Sequence, residues 1–205
     1  MNFEDLMDFS NHHIYFLFGL ARVKNNKDVT KHSREFFREP IRSLESYKTK
    51  LDEMKVKCEL TGHKMYMYVS VNARDTVKGY VNFKNTTTEY ESQALFGKED
   101  FRDPLMRIDK LWYSCMMKPN ARATKYFLLD VDTKDKDIID DAIATVSDYT
   151  IKGVGTEIKL IQETRNGYHI ITTPFDIRIL GEFKDISIKK DGLLYLGCTG
   201  FEGSD

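Results

Sequence analysis

The chain has little that would staple it, anchor it or give it a strong field. Of its 205 residues three are cysteine, four proline and one tryptophan. Cys58, Cys115 and Cys198 are far apart and form no Cys-x-x-Cys pair. That excludes a zinc ribbon and a disulfide framework, and suits a reducing compartment. Basic and acidic side chains nearly cancel, 31 against 32, for a formal charge of −1. No global field therefore marks a nucleic-acid partner, although a local basic groove can hide in a neutral total. Long hydrophobic runs are missing too, since Ile14–Ala21 is too short to span a bilayer. Glu4, Asp5 and Asp8 stand where a secretory signal needs basic residues, so a soluble intracellular protein with no membrane partner is expected. There is no internal repeat, low-complexity tract or heptad pattern.

What is present is the composition of a globular protein, 41% hydrophobic and 12% aromatic, in a chain long enough to bury a sizeable core. Periodicity predicts the elements. Ile14–Ala21 is a buried strand or a helix, which a run of this length does not separate. Ser33–Glu59 has helical composition interrupted at Pro40. Beyond that proline, Leu44, Tyr47, Leu51 and Met54 line up as a single apolar face. Lys64–Asn72 alternates as a strand and runs into Arg74 before a further helix. The polar loop Lys118–Thr124 is the expected boundary between two lobes, 1–120 and 121–205. Beyond it come a strand from Lys125 to Asp132, an amphipathic helix within Thr133–Thr150, and a hairpin of Glu157–Arg165 and Tyr168–Thr173 turning at Asn166-Gly167. If that turn has two residues, Thr164 faces His169 across the ladder. A second hairpin is expected at the end, DISIKK and LLYLG turning at Asp191-Gly192. The fold class is thus α+β, its second half a β-α-β-β run with one helix-covered face.

The chemistry gathers on Lys125–Asp132, KYFLLDVD. Asp130 and Asp132 stand at i and i+2, so they share one face of the strand about 7 Å apart, while Phe127, Leu129 and Val131 point into the core. Two acids on one face repel each other unless a cation sits between them, and Mg²⁺ or Mn²⁺ is held by such carboxylates together with substrate phosphates. On their own the two acids serve equally well to close a strand ahead of TKDKD. His169, at the mouth of the hairpin, is by type a surface or capped residue, or else a donor to phosphate. Metal-binding acids, an imidazole and a glycine turn are together what a nucleoside triphosphate needs. Asp191, Asp185 and Asp176 are the candidates for a third acid, with Asp191 preferred because it precedes a strong strand. As a lone residue Arg74 is best read as a surface salt bridge.

LLDVDTKD followed by QETRNGYHIITTPFD, with YMYVSVNAR upstream, resembles the archaeo-eukaryotic primase superfamily, in particular the primase-polymerase domains of phages and plasmids. The likeness covers about Lys64 to Tyr195. It implies a two-lobed domain whose C-terminal lobe is RRM-like. It implies that Asp130, Asp132 and a third acid on a following strand bind the catalytic metals; the motif does not fix that acid, and Asp191 is the first choice, with Asp185 and Asp176 open. Thr164, Arg165, Asn166, Gly167 and His169 then correspond to the hairpin that contacts the incoming nucleotide, with Thr164 and Arg165 replacing the usual serine and first glycine. Asn72 and Arg74 match a strand ending in Asn-x-Arg that many members share.

The expected function is a metal-dependent primase or polymerase acting on nucleoside triphosphates and a single-stranded nucleic-acid template. A helicase or other replication protein is an expected partner, and the expected location is the cytoplasm, that of the host if a phage encodes the chain. The alternative is a nucleotide- or nucleic-acid-binding protein on the same fold without catalysis, accessory to replication or counter-defence. A phosphohydrolase of the haloacid dehalogenase type also follows an apolar strand with Asp-x-Asp, but Lys134 stands where that family has Thr or Val. Three other features are read as structural. His12-His13 is a polar lead-in, Tyr66–Tyr68 belongs to the core, and Trp112 is a core anchor between lobes. Arg22 and Lys24 either line a template groove or are solvated.

Overall fold

The computed structural model describes residues 2–30, 35–151 and 154–199. In chain order the elements are β1 (Tyr15–Ala21), β2 (Glu35–Ile41), α1 (Leu44–Glu59), β3 (Met65–Ser70), α2 (Thr76–Leu95), α3 (Arg102–Met106), α4 (Ile108–Met116) and β4 (Phe127–Val131). There follow α5 (Lys136–Ser147), β5 (Thr150–Ile151), β6 (Val154–Gly155), β7 (Ile158–Glu163), β8 (Tyr168–Thr172), β9 (Ile186–Lys189) and β10 (Leu193–Thr199). The architecture is α+β, with two four-stranded antiparallel sheets, β10-β3-β1-β2 and β7-β8-β4-β9, and the small pair β5-β6. Among the described residues no helix is long and apolar enough to cross a membrane.

Two compact units result, one from Met1–Met7, Tyr15–Asn72 and Lys125–Asp205, the other from Asp8–Ile14 and Ala73–Thr124. This differs from a division at residue 120, because β10 near the chain's end pairs with β3 and ties the first sheet to the C-terminal segment. The loop read as a boundary does end at a crossing, Thr124 to Lys125.

In the first unit, Ile14–Ala21 resolves into the central strand β1, whose side chains are almost all buried. The helical reading of the stretch before α1 does not hold. Glu35–Ile41 is the edge strand β2, where Pro40 is tolerated because an edge residue need not donate to a second neighbour. Residues 33 and 34 of that stretch lie outside the described residues, as do Lys152 and Gly153. Ser43 caps α1 by accepting from the Ser46 N–H at 3.0 Å, and Tyr47, Met54 and Cys58 form its buried face, whereas Leu44 is exposed. Gly19 lets α1 approach the sheet, since a Cβ there would lie 3.1 Å from Cys58 Sγ and 3.2 Å from Met54 Sδ.

The second sheet covers one face with α5. Phe127, Leu129 and Val131 pack with Ile139, Ala142, Val146, Ile170, Phe175 and Leu180, as the alternation of β4 predicts. Each such aliphatic side chain fully removed from water contributes roughly 1.5–3 kcal/mol. The opposite face carries Leu128, Asp130, His169 and Ile171, paired rung by rung. The end of the chain does not form the expected second hairpin. β9 pairs with β4 and β10 pairs with β3, so the Lys190–Gly192 turn carries the chain from one sheet to the other. Gly192 permits that passage, because a Cβ would meet the Leu128 side chain at 2.6 Å, and its carbonyl accepts from Val71 N–H at 3.1 Å.

The second unit is built on α2, α3 and α4. Asp75 caps α2 by accepting from the Lys78 N–H. Gly79 is enclosed by the Met116 side chain, so α2 and α4 meet closely there. Leu111, Cys115 and Met116 are the buried residues of α4, while Trp112 is only half-buried and stacks edge-on with Tyr113 at 5.1 Å.

Candidate functional site

Asp130 lies on β4, between β8 and β9. Its neighbours across the ladders are His169 on β8 and Ser187 on β9. One carboxylate oxygen, Oδ1, is 3.2 Å from His169 Nε2, and the other, Oδ2, pairs with the Lys189 ammonium. The hydrogen bond from His169, then the bond and charge of Lys189, outweigh partial burial and hold the Asp130 carboxyl well below the usual carboxylate range.

His169 is buried, and its second ring nitrogen settles its tautomer. The Tyr195 backbone N–H donates to Nδ1 at 3.2 Å, so Nδ1 must accept and the proton sits on Nε2, facing Asp130. Both ring nitrogens are thus engaged in this conformation. The expected partner across the ladder, Thr164, is displaced. The register is Gln162 opposite His169 and Glu163 opposite Tyr168, and Thr164 N–H donates to Gly167 O at 2.8 Å, closing a four-residue loop. Gln162 Nε2 in turn donates to Tyr195 O at 2.6 Å.

The glycine of that loop is needed for close approach. Among the described residues Gly62, Gly97 and Gly197 are the glycines with positive φ, and Gly167 is not one of them. A Cβ at Gly167 would overlap the Val131 carbonyl oxygen and fall 2.8 Å from the Thr133 carbonyl oxygen. The hairpin therefore lies directly against the end of β4, beside Asp132. Thr164 is half-buried, and Arg165 and Asn166 are exposed at the loop tip.

Asp132 is exposed just past β4, and its N–H donates to the Asp185 carbonyl at 2.8 Å. This bond extends the β4–β9 ladder by one rung beyond the Val131–Ile186 pair. Ile186 and Ile188 pack on the helix side, so Ser187 and Lys189 lie on the Asp130 face, while Asp185 sits in the turn that leads into β9, where Ile186 N–H donates to Phe183 O at 3.4 Å. The register thus brings Asp185 level with Asp132, one residue past the Val131–Ile186 rung, at the same end of the sheet as Asp130.

Asp191 stands elsewhere. In an antiparallel return the residue before β9, not the one after it, comes level with Asp132. Asp191 Oδ1 accepts from Asn72 Nδ2 at 3.3 Å, near Tyr126 and roughly 13 Å along β4 from Asp130. Asp176 caps the Ile177–Leu180 turn and pairs with Arg178, and that turn packs on the helix side. Asn72 is fully buried. Its side chain accepts from Tyr126 N–H at 2.6 Å and donates to Tyr126 O at 3.0 Å, standing in for a backbone partner between β3 and β4. Arg74 belongs to the second unit, where it is fully buried and its backbone exchanges hydrogen bonds with Ile14 at 2.7 and 3.0 Å.

Of the cations of this face, sequence reasoning left Arg22 open between a template groove and solvent and passed over Lys189. Arg22, just after β1, lays its guanidinium 4.6 Å over the Tyr66 ring, donates to the Tyr68 hydroxyl and feels the charge of Asp130. Tyr68 and Tyr195 pair across the ladder with rings 5.7 Å apart, so the Tyr66–Tyr68 cluster is core and also the seat of Arg22. Lys189 gave no signal, because its place depends on β9 lying beside β4. Among the described residues, no three acidic, histidine or cysteine side chains converge tightly enough to enclose a metal ion. The donors around Asp130 and Asp132 are nevertheless hard oxygens with no thiolate, the type that Mg²⁺ and Mn²⁺ take, and Asp130 already draws a cation. Comparison with family models, curated proteins and solved structures finds no match for this chain.

Proposed function

We propose that the chain is a metal-dependent nucleotidyltransferase of the primase-polymerase kind, using nucleoside triphosphates on a single-stranded nucleic-acid template. One observation carries the reading: the rungs of β8, β4 and β9 bring Asp130, Asp132 and Asp185 to one end of one sheet, with His169 alongside. On this reading β4, α5, β7, β8 and β9 are the RRM-like half of the domain, and the protein works with other replication proteins in the cytoplasm. Asp130, Asp132 and Asp185 would hold Mg²⁺ or Mn²⁺, which would neutralise phosphate charge and lower the pKa of the attacking hydroxyl. His169, fixed by Tyr195, orients the Asp130 carboxylate. Arg22, seated on Tyr66 and Tyr68, offers its remaining N–H groups to phosphate oxygens. The hydroxyl oxygen attacks the α-phosphorus, its proton passes to water, and the bond to pyrophosphate breaks.

A second reading is favoured by Lys189, whose ammonium already occupies Asp130. In it the face binds nucleotide or nucleic acid without catalysis. Labelled nucleotide incorporation on primed single-stranded DNA with Mn²⁺ separates the two. The first reading expects product from the wild type and none from Asp130→Ala, Asp132→Ala. Equal signal from both proteins refutes it. Nucleotide binding by calorimetry without pyrophosphate release supports the second.

A further inference from the structure

Lys189 is the charged group of this face that the proposed reaction leaves unused. It projects from β9 with its side chain 47% exposed and its ammonium on Asp130 Oδ2. An ammonium and a divalent cation compete for the same carboxylate oxygen, since each is attracted to its lone pairs and repels the other. The neighbours of Asp130 differ in freedom to move. His169 is buried with both nitrogens engaged. Arg22 is seated on Tyr66 and Tyr68. Lys189, half-exposed itself, is held by one ion pair on a flexible four-carbon stem, so of the three it moves most readily.

We infer that Lys189 is a built-in counter-ion: it holds Asp130 in the free protein, yields it to a divalent cation, and then turns its ammonium to the triphosphate. The inference rests on the reading of this face as a metal and nucleotide site. It has a specific consequence. Metal alone must displace Lys189 without compensation and binds weakly, whereas metal with nucleotide gives the displaced ammonium a new anion. Lys189 is thus a source of cooperativity between the two ligands.

The test is a Mn²⁺ titration of the full chain, with free Mn²⁺ read by electron paramagnetic resonance, with and without a non-hydrolysable nucleoside triphosphate. Lys189→Gln should bind Mn²⁺ alone about five-fold more tightly than the wild type, the scale of an exposed ion pair, and should lose most of the enhancement by nucleotide. Lys189→Arg, which keeps the charge, should retain that enhancement. If Lys189→Gln binds Mn²⁺ no more tightly while nucleotide still enhances binding, the counter-ion role is overturned and the metal–nucleotide reading stands. If no protein binds Mn²⁺ with or without nucleotide, both fall. A measurement on the wild type alone guards against a variant that does not fold. The Lys189 side-chain ammonium signal in ¹⁵N NMR should shift on addition of Mg²⁺ and nucleotide, and a signal that stays in place overturns the inference.

Discussion

His169 and Gly167 are the residues whose roles changed most between pattern and structure. The imidazole is a neutral Nε2–H tautomer, because the Tyr195 N–H can only donate to Nδ1. It acts on Asp130, and Asp130 is depressed chiefly through that bond and then through Lys189. The sign follows from the depression. A carboxyl whose folded pKa lies below its unfolded value, near 3.9, contributes stability that is complete above the unfolded value and is lost as pH falls through the folded one. Asp130→Asn should therefore cost on the order of 1–3 kcal/mol at neutral pH. The gap to wild type should stay level down to about pH 5 and narrow below about pH 4, as measured by urea unfolding across pH. Gly167 faces backbone where an added methyl has no room, so Gly167→Ala should lower stability by roughly 1–3 kcal/mol or more, seen as a lower urea midpoint. That Asp130 and Asp132 close one strand and His169 opens another was legible in the sequence, because a strand alternates and a glycine turn punctuates it. Lys189 was not, Asp185 stood only as one of three candidate acids and Arg22 only as groove or solvated, since each matters only through which strand lies beside it.

Among the elements, β9 and β10 decide the site. An Asp-Gly between two β-type runs reads as a hairpin, but Gly192 fits against Leu128 and the two strands diverge to different sheets. Local turn chemistry is the same for a hairpin and for a crossing, so long-range pairing had to decide. The same pairing puts Asp185 level with Asp132 and leaves Asp191 beside Asn72. Asn72 joins β3 to the start of β4 through both backbone groups of Tyr126. Removing its carboxamide leaves buried backbone groups unpaired, so Asn72→Ala should destabilise by about 2–3 kcal/mol. Thermal and urea unfolding will read that loss directly, and a variant as stable as wild type would restore Asn72 to the ligand-binding candidates. The helix on β4, the strands β3, β7 and β8 and the apolar side of the second sheet were all visible as periodicity. The edge strand β2 was not, because Pro40 in a charged stretch carries no alternation.

For the molecule as a whole, the α+β class was legible, and the pairing of β10 with β3 within one unit was not. A near-neutral total charge means that an anionic ligand must be drawn by a few local cations, and Arg22 and Lys189 are those that act on Asp130. The central claim is that the end of β4 and β9 is a cation site made by Asp130, Asp132 and Asp185. The most direct measurement is a crystal structure with Mn²⁺ and a non-hydrolysable nucleoside triphosphate, with the metal located by anomalous scattering. The predicted result is a peak within coordination distance of Asp130 and Asp132, with Asp185 turned towards it, Lys189 moved from Asp130 to the phosphates and Asp191 still beside Asn72. Mn²⁺ bound elsewhere, or absent while Lys189 stays on Asp130, would contradict it.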